Sequence, residues 1–270
     1  MLINYSNEEF LYITKLLIMP SISNHSILVI GGSSGMGFAA AKLALEAGAR
    51  VAIASSNPTR VTSAVTSLKT SFPDSHISGH ECDLSLNGIE ARVDELFKAV
   101  TANGTSLLDH VVYTAGRAPG VKPLAETDIE ETVKSSQLAF AAVLAVSKLA
   151  PRYMKQGYTS SITFTGGRVA EKPIPSYTLY SGIAGGLVAM VRNLALDMAP
   201  LRVNLVSPGA TQTEMWGPPE TQEMIAKMAG AKALLGKVAT PEEVGEAYIY
   251  LMRNSDATGS VVSSDGGIVL

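Results

Sequence analysis

One feature constrains this chain more than any other: an apolar run that ends in a glycine-rich turn. Ile27-Leu28-Val29-Ile30 leads into Gly31-Gly32-Ser33-Ser34-Gly35-Met36-Gly37, and an Ala/Leu-rich stretch at helical spacing, Phe38 to Ala47, follows directly. A strand, a glycine turn and a helix in that order form the opening of a βαβ unit built to hold a diphosphate. Each glycine has its own use. Gly31 permits the tight turn, Gly35 lets the backbone approach the pyrophosphate, and Gly37 packs the helix against the strand. The free N–H groups and the dipole at the helix start favour negative charge there. Ser33, Ser34 and Met36 complete the candidate phosphate cradle.

The rest of the chain keeps the same rhythm. Strands are expected at 51–54, 77–82, 108–113, 161–165, 203–206 and 259–263. Helices are expected at 60–70, 89–100, 129–154, 177–198 and 241–253, with an irregular, partly helical insertion at 212–240. Strand and helix alternate six times without a linker, repeat or low-complexity stretch. That pattern predicts one α/β domain over 27–270, a Rossmann-type, doubly wound parallel sheet of about seven strands. The composition agrees: 46% of residues are apolar and only 17% charged, as a sheet covered on both faces requires.

Charge and cysteine content exclude several classes. The net charge is −3 and no Lys/Arg cluster is present, so no nucleic-acid partner is expected. Cys82 is the single cysteine. No intrachain disulfide can form, no metal site is expected, and a cytoplasmic, reducing location is the plain expectation. Residues 1–26 precede the first βαβ unit and are expected to be an N-terminal extension. Their apolar patch, Phe10 to Met19, is interrupted by Lys15 and is too short to span a bilayer. Docking on the domain and anchoring at a membrane surface both fit it.

The glycine string resembles the Gly-x-x-x-Gly-x-Gly fingerprint of the short-chain dehydrogenase/reductase superfamily, and later segments resemble that family through residue 270. Asp83-Leu84 resembles its adenine-contacting pair and Thr114-Ala115-Gly116 its Asn-Ala-Gly segment. Val203-Asn204 with Ser207-Pro208-Gly209 resembles its Val-Asn and Pro-Gly turn, and Asp265-Gly266-Gly267 its C-terminal Asp-Gly-Gly. The resemblance adds Ala115, Gly116, Pro208, Gly209, Thr211 and Thr213 to the cofactor site. It makes residues 212–235 a substrate lid with Trp216 over the pocket. It places Gly166, Arg168, Pro175 and Tyr177 along the pocket. It also implies a homodimer or homotetramer formed through the two long helices.

The second strand selects among nicotinamide cofactors. A carboxylate at its end would accept from a ribose 2′-OH and repel a 2′-phosphate. Here the strand ends Ala54-Ser55-Ser56-Asn57 with Arg60 beyond, and no acid occurs until Asp74. NADP(H) is therefore the expected cofactor.

The family's catalytic set is largely gone. Its chemistry uses a tyrosine acid, a lysine four residues on and a serine on the neighbouring strand. No Tyr-x-x-x-Lys occurs in this chain. Tyr180 falls on the tyrosine, but Ala184 stands at the lysine, Gly166 at the serine, and Leu138, beside Gln137, at the helix asparagine. Tyr180 is then either a pocket wall or a donor assisted from elsewhere. Thr165 is the nearest hydroxyl, although strand alternation points it to the opposite face unless the strand end bends. Arg117, Arg168 and Lys172 are the cations near enough to bring charge. Three functions stay open: an NADPH-dependent reductase of a bulky small molecule whose acceptor is an iminium, activated alkene or carbonyl; a non-redox cyclase or isomerase with the cofactor as pocket wall; and a silent NADP(H)-binding regulator.

Overall fold

The computed structural model describes residues 20–116 and 122–270. Seven strands form one sheet in the order β3-β2-β1-β4-β5-β6-β7, and every pairing is parallel. They are β1 Ser26–Ile30, β2 Arg50–Ser55, β3 Ile77–Glu81, β4 His110–Tyr113, β5 Ser161–Thr165, β6 Arg202–Pro208 and β7 Val261–Ser264. The chain winds outward from β1 to β3, then returns to lay β4 against the other side of β1. The crevice beyond the carboxyl ends of β1 and β4 is thus the switch point at which such sheets bind ligands.

Two cores sandwich the sheet. Leu28 and Ile30 of β1 face one cluster, while Ile27 and Val29 face the other. This alternation across the pleat explains why β1 reads as a continuous apolar run. The first cluster is closed by α3 (Ile89–Val100), α5 (Ala142–Leu149) and α6 (Thr178–Asp197); the second by α1 (Gly35–Glu46), α2 (Pro58–Ser71) and α8 (Pro241–Arg253).

Local chemistry sets the helix ends. Pro58 opens α2 while Asn57 caps it, its side chain accepting from Arg60 N at 2.9 Å. Thr240 and Glu243 form a reciprocal capping box on α8. The Asn57 cap and Pro58 start α2 two residues earlier than periodicity alone places it.

Two expectations need correction. The helix expected over 129–154 is not continuous. It divides into α4 (Ile129–Ser136), a π-helical turn Gln137–Ala141, α5, and a 3₁₀ turn Ala150–Arg152. At the π turn the Tyr113 hydroxyl donates to Leu138 O at 2.8 Å, so a carbonyl is satisfied from outside the helix. Pro151 ends the run. The domain also reaches further back than residue 27. Ser26 starts β1 and Ile22 is buried in the second cluster. The apolar patch Phe10–Met19 lies outside the described residues.

The insertion at 212–240 holds a 3₁₀ turn, Glu214–Trp216, and helix α7, Pro219–Gly230. Its base is hooked to its own end by Gln212 N to Ala239 O at 2.9 Å and Ala239 N to Ala210 O at 3.0 Å. Two helical spans, 132–152 and 178–197, are long and apolar enough to cross a membrane. In the fold they are layer helices, packed against α3 and β6 respectively.

Candidate active site

The glycine turn 31–37 sits at the switch point, tied to β2 by Gly31 N to Ala54 O at 2.8 Å and to β4 through Thr114 N to Ile30 O at 2.8 Å. At Gly31 and Gly37 no side chain beyond hydrogen fits. A Cβ on Gly31, where φ is +93°, would lie 2.6 Å from Ala115 N, and one on Gly37 would lie 2.4 Å from Gly31 O. The turn delivers α1 with its first turn open. Ser34, at the N-cap, makes no side-chain capping bond, and no acidic residue occupies the first turn. The N–H groups that a helix start leaves unmade therefore remain for a ligand. This is the test that a dinucleotide must pass, and the cradle passes it: donors are present, no carboxylate belongs to the first turn, and the backbone is stripped of Cβ atoms where a pyrophosphate comes close.

From this cradle an open trough of about 770 Å³ runs across the carboxyl edge of the sheet, the size range of a ligand site. At one end are Ser55, Ser56, Arg60, Asp83 and Leu84. Asp83 accepts from Ser85 N at 2.9 Å and Ser85 Oγ at 2.6 Å. Cys82 shares this end, and burial pushes its thiol up to about 11, which keeps it protonated and unreactive. Ala115, Gly116, Pro208, Gly209, Thr211 and Thr213 line the middle.

At the far end lie Gly166, Arg168, Tyr177 and Trp216. Beside them stand Val169, Ile174, Met215, Ile225 and Ala229, the last three within the lid expected at 212–235. The last two come from α7, whose amphipathic pattern did carry a signal. Glu214 also lines the trough, its Oε2 3.8 Å from the position a Cβ would take on Gly35.

Several expected residues lie elsewhere. Thr165 points to the opposite face: its Oγ1 donates to Tyr113 O at 2.8 Å and lies 2.7 Å from the Tyr248 hydroxyl. Asn57 is occupied as the cap of α2. Pro175 is exposed, and Ile174 takes its place on the wall. Lys172 donates to Ile268 O at 2.8 Å and Leu270 O at 3.1 Å, tying down the C-terminal turn. Arg117 lies outside the described residues. Tyr180 is half-buried beneath Tyr177, their rings edge to face with centroids 6.2 Å apart, and Tyr177 is the ring that lines the trough. Ala184 is 5% exposed.

Gln137 is a functional contributor that propensity could not reveal. From the π turn its side-chain Nε2 donates to Leu86 O at 2.9 Å and Leu84 O at 3.3 Å. It thereby braces the loop that carries Asp83 and Leu84.

The fold and this trough define a dinucleotide-binding Rossmann domain with its ligand groove at the switch point. A family model described as an SDR-like Rossmann domain matches residues 19–270, and the chain belongs to the short-chain dehydrogenase/reductase family. The chain is 47% identical over 253 residues to the short-chain dehydrogenase/reductase ATR9 of Stachybotrys chlorohalonatus, covering 93% of this chain and 100% of that protein. Its structure is similar to that of the MalC reductase/Diels-Alderase of Malbranchea aurantiaca, with TM-score 0.85, 37% identity, and 92% and 97% of the two chains covered. It is also similar to an NADPH-bound short-chain oxidoreductase of Pseudomonas aeruginosa described as containing an atypical catalytic center, with TM-score 0.81, 26% identity, and 92% and 98% covered.

Proposed function

We propose that this protein is an NADPH-dependent reductase of a bulky small molecule whose acceptor group needs no proton from a tyrosine–lysine pair, an iminium or an activated alkene in the first place. The single observation that carries this reading is a contrast within one trough. The dinucleotide cradle is complete, whereas the positions that resemblance gives to serine and lysine hold Gly166 and Ala184. Residues 33–37 would hold the pyrophosphate. Ser55, Ser56 and Arg60 would hold the 2′-phosphate, the guanidinium supplying the charge. Thr211 and Thr213 would orient the nicotinamide. When bound, NADPH supplies hydride.

The chain's own contribution at the far end is the shape of an apolar wall. Trp216, Met215 and Ile225 close over the trough from the lid, and Tyr177 and Ile174 stand opposite. Without a lysine to activate Tyr180, protonation of an alkoxide is poorly served. An iminium bypasses that need, because its nitrogen ends neutral after reduction.

A second reading is supported by the open volume and by the name of one structural relative, a reductase/Diels-Alderase. The same chamber would fold a substrate for cyclisation with the cofactor as one wall. A silent regulator is disfavoured, since side chains do not fill the chamber. We further infer a homodimer or homotetramer through the long helices.

Dissociation constants for NADPH and NADH test the cofactor assignment. NADPH should bind at least about tenfold tighter, a difference of about 1.4 kcal/mol, and Arg60→Ala should erase most of that margin. Equal affinity for both cofactors in the unaltered protein would sink it. Consumption of NADPH with cyclic iminium substrates then separates the reductase from the non-redox reading.

A further inference from the structure

Among the described residues two arginines line the trough, and the cofactor reading accounts for only one. Arg60 follows β2. Arg168 follows β5, three strand spacings away across the sheet, roughly 14 Å at about 4.8 Å per strand. Arg168 is half-buried, and its guanidinium makes no hydrogen bond or ion pair among the described residues. Arginine withdrawn from water is ordinarily paired, because its five donors otherwise lose their hydration. The carboxylates that line the same trough do not serve it. Asp83 is engaged with Ser85 at the opposite end, and Glu214 stands beside Gly35 at the pyrophosphate turn. Arg168 therefore presents an uncommitted, planar cation to a chamber whose other walls are Ile174, Tyr177, Met215, Trp216 and Ile225.

We propose that Arg168 is a specificity residue that binds an anionic oxygen, a carboxylate or an enolate, on an otherwise bulky and apolar substrate. A guanidinium holds such a group by two parallel charge-assisted hydrogen bonds. The apolar walls lower the local dielectric and strengthen such a pair. Gly167 immediately before it leaves the floor bare: a Cβ there would meet nothing within 4 Å. The substrate's bulk fits over this glycine while its oxygen reaches Arg168. This inference rests on the reading of the far end as the substrate chamber.

The test exploits Trp216, the single tryptophan in the chain, which lines the chamber and reports its occupancy by fluorescence. Protein saturated with NADP⁺ is titrated with adamantane-1-carboxylate and, separately, with adamantane-1-carboxamide at constant ionic strength. The carboxylate should bind at least about tenfold tighter, about 1.4 kcal/mol. Arg168→Met, which keeps the apolar stem, should abolish the preference, and Arg168→Lys should keep part of it. Thermal melts of each variant establish that it is folded.

Equal binding of the two probes, no response of Trp216 to either, or a preference that survives Arg168→Met overturns the proposal. NADP⁺ binding is followed independently by calorimetry. If NADP⁺ fails to bind while the Arg168-dependent preference persists without it, the cofactor assignment falls and the substrate inference stands.

Discussion

Thr165 Oγ1 and the Tyr248 hydroxyl lie 2.7 Å apart on the face of the sheet turned away from the trough. The Thr165 proton is directed at Tyr113 O, 2.8 Å away, and a carbonyl can only accept. Tyr248 must therefore donate to Thr165. Tyr248 is wholly buried, and that burial pushes its phenol well above the ordinary tyrosine range, so it stays a neutral donor. This pair engages the Thr165 hydroxyl away from the trough. Thr165→Val should leave a buried donor unsatisfied and cost about 1–3 kcal/mol of stability, with cofactor affinity and turnover unchanged. Urea unfolding and steady-state assay of the same preparation check this. A large loss of turnover in a variant that still binds cofactor normally would restore Thr165 to the active site.

The frame of the molecule was legible because its signals are local. The apolar β1 and the glycine turn after it each announce one element. What escaped depends on partners distant in sequence. The break at 137–141 arises where Tyr113, 25 residues away, satisfies Leu138 O, and no helical periodicity records that. Asn57 reads as a phosphate ligand in the sequence, and only the fold shows its Oδ1 engaged as the cap of α2. The inner wall from Ile225 and Ala229 depends on how α7 folds back, which local pattern does not fix.

Restoring the family's catalytic set should be harder than two substitutions suggest. A Cβ at Gly166 lies 3.0 Å from Leu205 Cδ2, and Leu205 is fully buried. Ala184 is 5% exposed, so a lysine there must bury its charge. Gly166→Ser with Ala184→Lys should therefore lower stability by about 2–4 kcal/mol. Adding Leu205→Val should recover part of the loss. Denaturation midpoints of the double and triple variants test this. Ketone reduction appearing only in such variants would show that the standard chemistry was lost with these two side chains. Full stability of the double variant would contradict the packing argument.

A histidine cluster at the opposite edge of the sheet should make stability depend on pH. His110 is wholly buried, its Nε2 3.0 Å from His25 Nδ1 and its Nδ1 2.9 Å from Ser161 Oγ. Burial first, then the neighbouring His25 and Arg202, push the His110 imidazole from 6.5 down to about 3, with Asp109 opposing and Lys155 adding to the fall. Burial lowers His25 and His80 as well. The unfolded chain thus takes up protons below about 6.5 that the native state refuses, so stability is full above that pH and drains away as pH falls. The Asp109 carboxyl faces the same cluster, and although burial opposes it, hydrogen bonds from Lys155 and Ser26 N hold it below the usual range. Its contribution is lost only below about pH 4. Between pH 7 and pH 5, His110 alone should cost about 2 kcal/mol. The measurement is urea unfolding at several pH values. His110→Gln should be less stable at pH 7 but show a flatter pH dependence. Parallel slopes for the two proteins would refute the assignment.

The outward face of α6 should be where copies of this chain meet. Gly182, Ala189 and Leu196 recur every seven residues along it and are all exposed in the single chain, Leu196 at 76%. A Cβ on Gly182 or on Gly185 would meet nothing within 4 Å. The helix has a mean hydropathy of 1.3 and only 17% of that window is buried, a large apolar surface to leave in water. Small residues at this spacing let a second copy of the same helix approach closely, and a two-fold contact places like residues against like. Ala189→Glu sets carboxylates against each other at the centre of that contact while disturbing nothing within one chain. It should convert the assembly to a smaller species by light scattering, with the Kd for NADPH within about twofold of the unaltered protein, since less than about 0.5 kcal/mol is at stake for an exposed surface position. An unchanged mass would place the contact elsewhere. A smaller species that also loses cofactor would show that assembly supports the trough itself.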